Sequence, residues 1–303
     1  MNPVSKIDVA LVGLGNWGTS LAAALSRTSV PLREIVVRRR KGRQVATVNW
    51  SNAALNAKIL WLCVADSVIS EAAVQIVRVR PNLRGQIVVH SSGALTVEAL
   101  EPARRAGAGV AAVHPAMTFP TRRAVALDGV LFGVEAPDPA CRRTLDRLVR
   151  RLGGRPFNIS SRNKALYHAA GTLASPLLVS ELAAAIEAAR LAGLDRRNAL
   201  RWVESLATAT VRNVFAQGPA PSFSGPFARG DAGTIELHLQ ALEKHPILAE
   251  LYRSLAAFAV DSLPVQNRRE LAQALRRFDV EDIKLKRRGT AHLQDRKLSR
   301  MRD

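Results

Sequence analysis

The chain has 303 residues, a formal net charge of +19 and 48% hydrophobic residues, enough length and apolar content for two folded domains with real cores. Its two cysteines exclude a disulfide framework and a zinc cluster, and no metal is expected. The opening MNPVSK leads straight into an apolar stretch and no continuous apolar run approaches the roughly 18 residues of a membrane span, so a soluble, cytoplasmic protein with no membrane partner is expected.

The positive charge raises the question of nucleic acid. From Lys284 to Asp303 there are eight basic residues against two acidic ones, so about a third of the excess sits in a short terminal stretch, read as a basic, mobile tail over residues 281–303. The remainder is spread over helical segments without the aromatic platforms of single-strand binders, which points to a solvated arginine-rich surface and no nucleic-acid partner.

Residues 7–18, IDVALVGLGNWG, open the fold. Ile7, Val9, Leu11 and Val12 read as a strand buried on both faces, and 19–25 as a helix. Between them Gly13, Gly15 and Gly18 fall in GxGxxG spacing. Gly13 permits the tight turn, Gly15 lets backbone approach a pyrophosphate and Gly18 packs helix on strand. The helix start, with Asn16 and Trp17, offers free N–H groups to the phosphates. A second strand, 34–37, ends in Arg38, Arg39, Arg40 and Lys41. An NAD site places an acid about twenty positions past the glycines to bind the ribose 2′-hydroxyl; here Arg38 and Arg39 stand there instead, which suits the 2′-phosphate of NADP.

Further strands are read at 59–64 (closed by Ala65 and Asp66), 86–90, 109–113, 130–134 and 155–159, with helices at 67–77, 97–106 and 140–152. The alternation predicts an α/β, doubly wound sheet over residues 1–160. Loops after parallel strands are where such a sheet places ligands. Ser91 and Ser92, after the fourth strand, either contact cofactor or substrate or cap the next helix. His114, held by Pro115, is a candidate proton donor or substrate hydrogen-bonder.

From residue 161 the strand signals stop, and 161–280 reads as an all-helical domain: helices at 162–191, from an Asp195 cap to 215, and at 232–242, 246–260 and 268–277, with a Pro/Gly-rich loop at 218–230. On the first helix Lys164, His168, Gly171, Thr172 and Ser175 share one stripe at about 100° per residue. Gly171 costs about 1 kcal/mol relative to Ala there, a cost that makes sense where another group must approach. Pro176 is expected to kink the helix. Lys164 and His168, one turn apart, are expected to reach into an interdomain cleft facing Ser91, Ser92 and His114. Their proximity and partial burial would make Lys164 a better proton donor near neutral pH. Arg229 either binds a substrate carboxylate or pairs with Asp231 to brace its loop. The Ala/Leu-rich segment 177–191 points to a homodimer.

The blocks KALYHAAGTLAS (residues 164–175), FSGPFARGD (223–231), HPAMTFP (114–120) and GLGNWG together resemble bacterial Rossmann-like proteins whose C-terminal half is domain of unknown function 2520, over residues 5–280. The layout is similar to the 6-phosphogluconate dehydrogenase, 3-hydroxyisobutyrate dehydrogenase, ketopantoate reductase and pyrroline-5-carboxylate reductase group. That resemblance implies a helical domain that dimerises and closes the active site, and a proton-donating lysine at Lys164. The His-Pro pair is similar to that of prephenate dehydrogenases, where the histidine hydrogen-bonds substrate. Pro176 stands where the family usually has Asn, so a substrate contact by that amide is not carried over. The expectation is an NADP-dependent oxidoreductase for a small carboxylate-bearing carbonyl, imine or alcohol, a 2-oxo acid such as ketopantoate among the candidates. Thr172, Ser175, Ser92 and Arg229 would bind substrate; Ala65 and Ser91 would join the glycine turn at the cofactor. The alternative is a non-catalytic NADP-binding sensor or scaffold.

Overall fold

The computed structural model describes residues 7–38 and 47–277, so Arg39 and the basic stretch 281–303 lie outside the described residues. The chain divides into two units, Met1–Ser175 and Pro176–Asp303.

The first unit is built on seven strands: β1 (Val9–Val12), β2 (Leu32–Val36), β3 (Ile59–Leu62), β4 (Ile87–His90), β5 (Gly109–Pro115), β6 (Leu131–Glu135) and β7 (Arg155–Asn158), in spatial order β2-β1-β3-β4-β5-β6-β7. Pairing is parallel except between β5 and β6, which run antiparallel. Strands β1, β3 and β4 are buried at every position, as uninterrupted apolar runs require when helices cover both faces. Alternate residues serve alternate cores. Val9, Leu11, Trp61 and Val89 pack with Leu21 and Leu25 of α1 (Asn16–Ser26) and with Leu145 and Leu148 of α4 (Pro139–Arg151). Ala10, Val12, Leu60 and Val88 pack with Ile69, Ala73 and Ile76 of α2 (Ile69–Val79) and with Ala103 of α3 (Glu101–Arg105). Cys63 and Cys141 are free and buried.

Two glycines set the approach of α1 to the sheet. Gly13 adopts φ +100°, where a Cβ would meet the Cys63 carbonyl at 2.5 Å, and a Cβ on Gly18 would meet the Gly13 carbonyl at 2.6 Å. Gly18 therefore lets the helix lie closer to the end of β1 than a side chain there allows, and Gly13 lets the turn pack against the backbone just past β3.

The helical run that begins after β7 starts in the first unit as α5 (Lys164–Thr172), passes through a π-helical turn at Leu173–Leu177 and continues in the second unit as α6 (Leu178–Leu191). The expected kink takes this form because Pro176 has no N–H to donate, and the wider turn accommodates the missing bond. The division between the two units falls between Ser175 and Pro176, and α5 is fastened to the sheet by side chains described below. An 18-residue window within Ser161–Leu191 is long and apolar enough to cross a membrane by length and composition, with none of it buried. The run is not continuously apolar, since Thr172, Ser175 and Glu181 interrupt it; the window passes on its average, which the surrounding Ala, Leu and Val residues keep high.

The second unit adds α7 (Arg196–Gln217), α8 (Pro219–Ser222), α9 (Gly225–Arg229), α10 (Ala232–Leu242), α11 (Pro246–Ser262) and α12 (Arg268–Arg277). Asp195 caps α7 by accepting from the Asn198 N–H. The Pro/Gly-rich stretch expected as a loop folds into α8 and α9, each with a proline in its first turn, where proline's missing N–H has no cost. A core of Ile235, Leu239, Ala256, Val260, Leu271 and Leu275 joins α10, α11 and α12. Helices α6 and α7 bury little: only Ala189, Ala199 and Val203.

Candidate active site

The glycine turn presents an uncapped helix end of the kind that suits an anion. Gly15 is the N-cap of α1, no side chain caps it, the first turn carries no acid, and a Cβ at Gly15 would meet nothing within 4 Å. Free N–H groups, the positive end of the helix dipole and open space coincide. The side chains of Asn16 and Trp17 are turned to other work. Asn16 Nδ2 donates to the Phe119 carbonyl at 2.7 Å, and the Trp17 ring packs on Phe119 with centroids 5.1 Å apart; their backbone N–H groups remain for a ligand. Arg38 is exposed just past β2, and no carboxylate occupies that position.

The two serines after β4 differ sharply. Ser91 Oγ accepts from the indole N–H of both Trp17 and Trp61, each at 2.7 Å. Ser92 is buried, donates to Asp66 Oδ2 at 2.6 Å and accepts from the N–H groups of Ala94 and Leu95. Ser92 thus ties down its own loop, which is the capping alternative rather than a free substrate contact. Buried His90 helps: its Nδ1 accepts from the Ser92 N–H and its Nε2 lies 3.1 Å from the Thr96 carbonyl. Burial pushes this imidazole down to about 4, so it stays neutral. Ala65 is exposed beyond β3.

His114 lies in β5, and its Nδ1 shares a 2.7 Å hydrogen bond with the Tyr167 hydroxyl. The His168 ring stands 5.8 Å from that of His114, nearly perpendicular to it. Both imidazoles converge on Gly93, where a Cβ would lie 2.4 Å from His168 Cδ2 and 2.9 Å from His114 Nε2. Glycine is the residue that lets them meet. Burial first, then the charges of His168 and Lys164, lower His114 to about 4.

Lys164 departs from expectation. Instead of standing in an open cleft beside His168, it is 1% exposed, with Nζ 2.9 Å from Glu135 Oε2. Glu135 closes β6, is equally buried, and its other oxygen accepts from Ser161 Oγ and the Val97 N–H. Burial pushes Lys164 down while Glu135 holds it up. Burial works to raise Glu135, but its hydrogen bonds to Lys164 and Ser161 outweigh that and hold it below the usual carboxylate range. Thr172 donates to the His168 carbonyl within its own helix, Ser175 is half-buried in the π turn, and Gly171 faces open space.

Residues 3–115 match the Rossmann-like domain family and residues 130–258 match domain of unknown function 2520 (DUF2520). The chain joins a Rossmann-like domain to a DUF2520 domain. A comparison with curated proteins finds no match. Among solved structures, a candidate NADP oxidoreductase of Bacteroides fragilis is 22% identical over 82% of this chain and 96% of its own, with a TM-score of 0.68. The pyrroline carboxylate reductase of Plasmodium falciparum, solved with NADP bound, is 14% identical over 90% and 97%, at 0.56. An imine reductase of Myxococcus stipitatus in complex with NADP+ is 16% identical over 84% and 94%, at 0.60. At these identities the likeness establishes a shared fold.

The DUF2520 match begins inside the sheet, at β6, so Glu135, Lys164, Tyr167 and His168 belong to it, whereas Gly13, Ser91 and His114 belong to the Rossmann-like part. Elsewhere in the DUF2520 domain, Arg229 is exposed at the end of α9. Asp231, expected as its brace, caps α10 by accepting from the Thr234 N–H and hydroxyl. Those hydrogen bonds, aided by the Arg229 charge, hold its carboxyl below the usual value. Tyr167, Glu135, Asp66 and Gly93 contact the candidate site residues and were not singled out by sequence reasoning. Tyr167 had a signal, since it lies beside His168 in the family block.

Removing one partner of the buried pair leaves the other charge stranded. Lys164→Met is expected to cost about 3–5 kcal/mol of stability in urea unfolding, and adding Glu135→Gln to recover most of that loss.

Proposed function

We propose that the chain is an NADP(H)-dependent oxidoreductase, moving a hydride between the cofactor and a small carboxylate-bearing carbonyl, imine or alcohol. The observation that carries this reading is the uncapped α1 N-terminus at the glycine turn, followed by a β2 end that bears Arg38 where an NAD-preferring site bears an acid. Gly13, Gly15, Gly18 and the first N–H groups of α1 would hold the pyrophosphate, and Arg38 with Arg39 the 2′-phosphate. The reductases that share this fold with NADP bound support the choice.

When bound, the nicotinamide supplies or takes the hydride; the protein contributes position and one proton. Lys164 is spent on Glu135, so His114 takes the proton-donating role on this reading. With the Tyr167 hydroxyl donating to Nδ1, the neutral ring carries its proton on Nε2, the atom beside Gly93. That N–H polarises the substrate oxygen or nitrogen and is in position to transfer as negative charge develops there. His168 lines the same point. The burial of Lys164 is also what favours the second reading, a sensor that binds NADP without turnover.

The exposed apolar residues of α6 and α7, among them Val179, Trp202, Leu206 and Phe215 (86% exposed), support a homodimer that covers this face. Light scattering at micromolar concentration should give twice the chain mass.

NADPH is expected to bind more tightly than NADH in an equilibrium titration, and Arg38→Asp to erase the preference; equal affinities in the unmodified protein would overturn the reading. A panel of 2-oxo acids and cyclic imines with NADPH separates enzyme from sensor. On any substrate so found, His114→Asn should lower turnover by about 10²-fold or more with NADPH affinity nearly unchanged. Because the neutral ring is the working form, wild-type turnover should hold as pH falls below 6.5 and decline only as His114 protonates near 4.

A further inference from the structure

We propose that Ser91 is a hydroxyl fixed as a donor only, and that it recognises the carbonyl oxygen of the nicotinamide carboxamide; this rests on the NADP reading above. An indole N–H can donate and never accept, and a hydroxyl has two acceptor lone pairs and one O–H. Trp17 and Trp61 both direct Nε1 at Ser91 Oγ from 2.7 Å, so both lone pairs are taken. What remains is the O–H, its direction set by the two indoles. Among the described residues it donates to no group, while Ser91 itself is only half-buried.

Neither indole is free to swing away. Trp61 is fully buried in β3, and Trp17 is wedged against Trp61, Phe119 and Phe132. The adjacent Ser92 cannot substitute, because its O–H is given to Asp66.

The sheet order selects the ligand atom. Phosphates belong at the β1 turn and the adenosine ribose toward β2 and Arg38, so the nicotinamide end falls on the other side of β1, over β3 and β4. Ser91 is the first residue past β4. A carboxamide offers one acceptor oxygen and one donor amino group, and a donor-only hydroxyl takes the oxygen.

The test is equilibrium binding to the full chain of four probes: NADPH, its thionicotinamide analogue, in which a weakly accepting sulfur replaces the oxygen, its 3-acetylpyridine analogue, which keeps the carbonyl but loses the amino group, and 2′-phospho-ADP-ribose. Wild type should hold the acetylpyridine analogue about as well as NADPH and the thionicotinamide analogue about three- to tenfold more weakly. Ser91→Ala should flatten that difference. Because that change also orphans two indole N–H groups, Trp17→Phe is the second variant: it frees one lone pair, lets the hydroxyl rotate and should weaken the discrimination. Both variants should bind 2′-phospho-ADP-ribose like wild type. Equal binding of oxygen and sulfur forms by wild type, or an undiminished preference in Ser91→Ala, overturns the Ser91 assignment alone. Failure of wild type to bind any of the four overturns the NADP reading and this inference with it.

Discussion

The Lys164–Glu135 ion pair fastens the start of α5 to the end of β6. Two charges this deeply buried are tolerable because each is answered: Glu135 spreads its acceptors over Lys164, Ser161 and the Val97 N–H. The residues that follow are placed by this anchor. Tyr167 and His168 lie roughly one helical turn beyond Lys164, so fixing the lysine under the helix puts both rings over β5, where His114 waits. The same anchor explains why the helical run is divided at the π turn and not at its start. Chemistry and architecture compete for the lysine here, and architecture holds it.

At the end of β4, identical side chains acquire opposite roles through their neighbours. Ser92 has every hydrogen-bonding capacity met by its own loop and Asp66, and its burial follows. Ser91 is filled from one side only, by two donors that can take nothing in return. His90, below them, is neutral through burial and holds the loop through both ring nitrogens. A polar group becomes available to a ligand where the protein satisfies half of its valence and leaves the rest.

The second unit shows a different imbalance. Helices α10, α11 and α12 close a small core, yet α6 and α7 expose Val179, Leu200, Trp202 and Phe215. Apolar area on that scale is costly in water at roughly 25 cal/mol per Å². The same composition makes Ser161–Leu191 read as apolar enough for a bilayer, although Lys164 and Tyr167 engage the sheet within that run.

The sequence by itself determined the order and type of nearly all elements, the glycine turn and the cap at Asp195, because these depend on neighbours in the chain: apolar runs of strand length, GxGxxG spacing, a carboxylate three residues before the N–H it binds. It also marked His114 and His168 as candidates from their position at a strand end and on a helix stripe, and the two rings do lie together. Tertiary structure decided what each side chain is used for. Glu135 was one acid at the end of an apolar strand, and nothing local said that it would claim Lys164 from 29 residues away in the chain. Trp17 and Trp61 meet on Ser91 across separations of 74 and 30 residues, and Gly93 matters only because two imidazoles arrive there from β5 and α5. Hydrogen-bond valence is satisfied in space, so which polar group is spent and which is left for a ligand is settled only once the chain has folded.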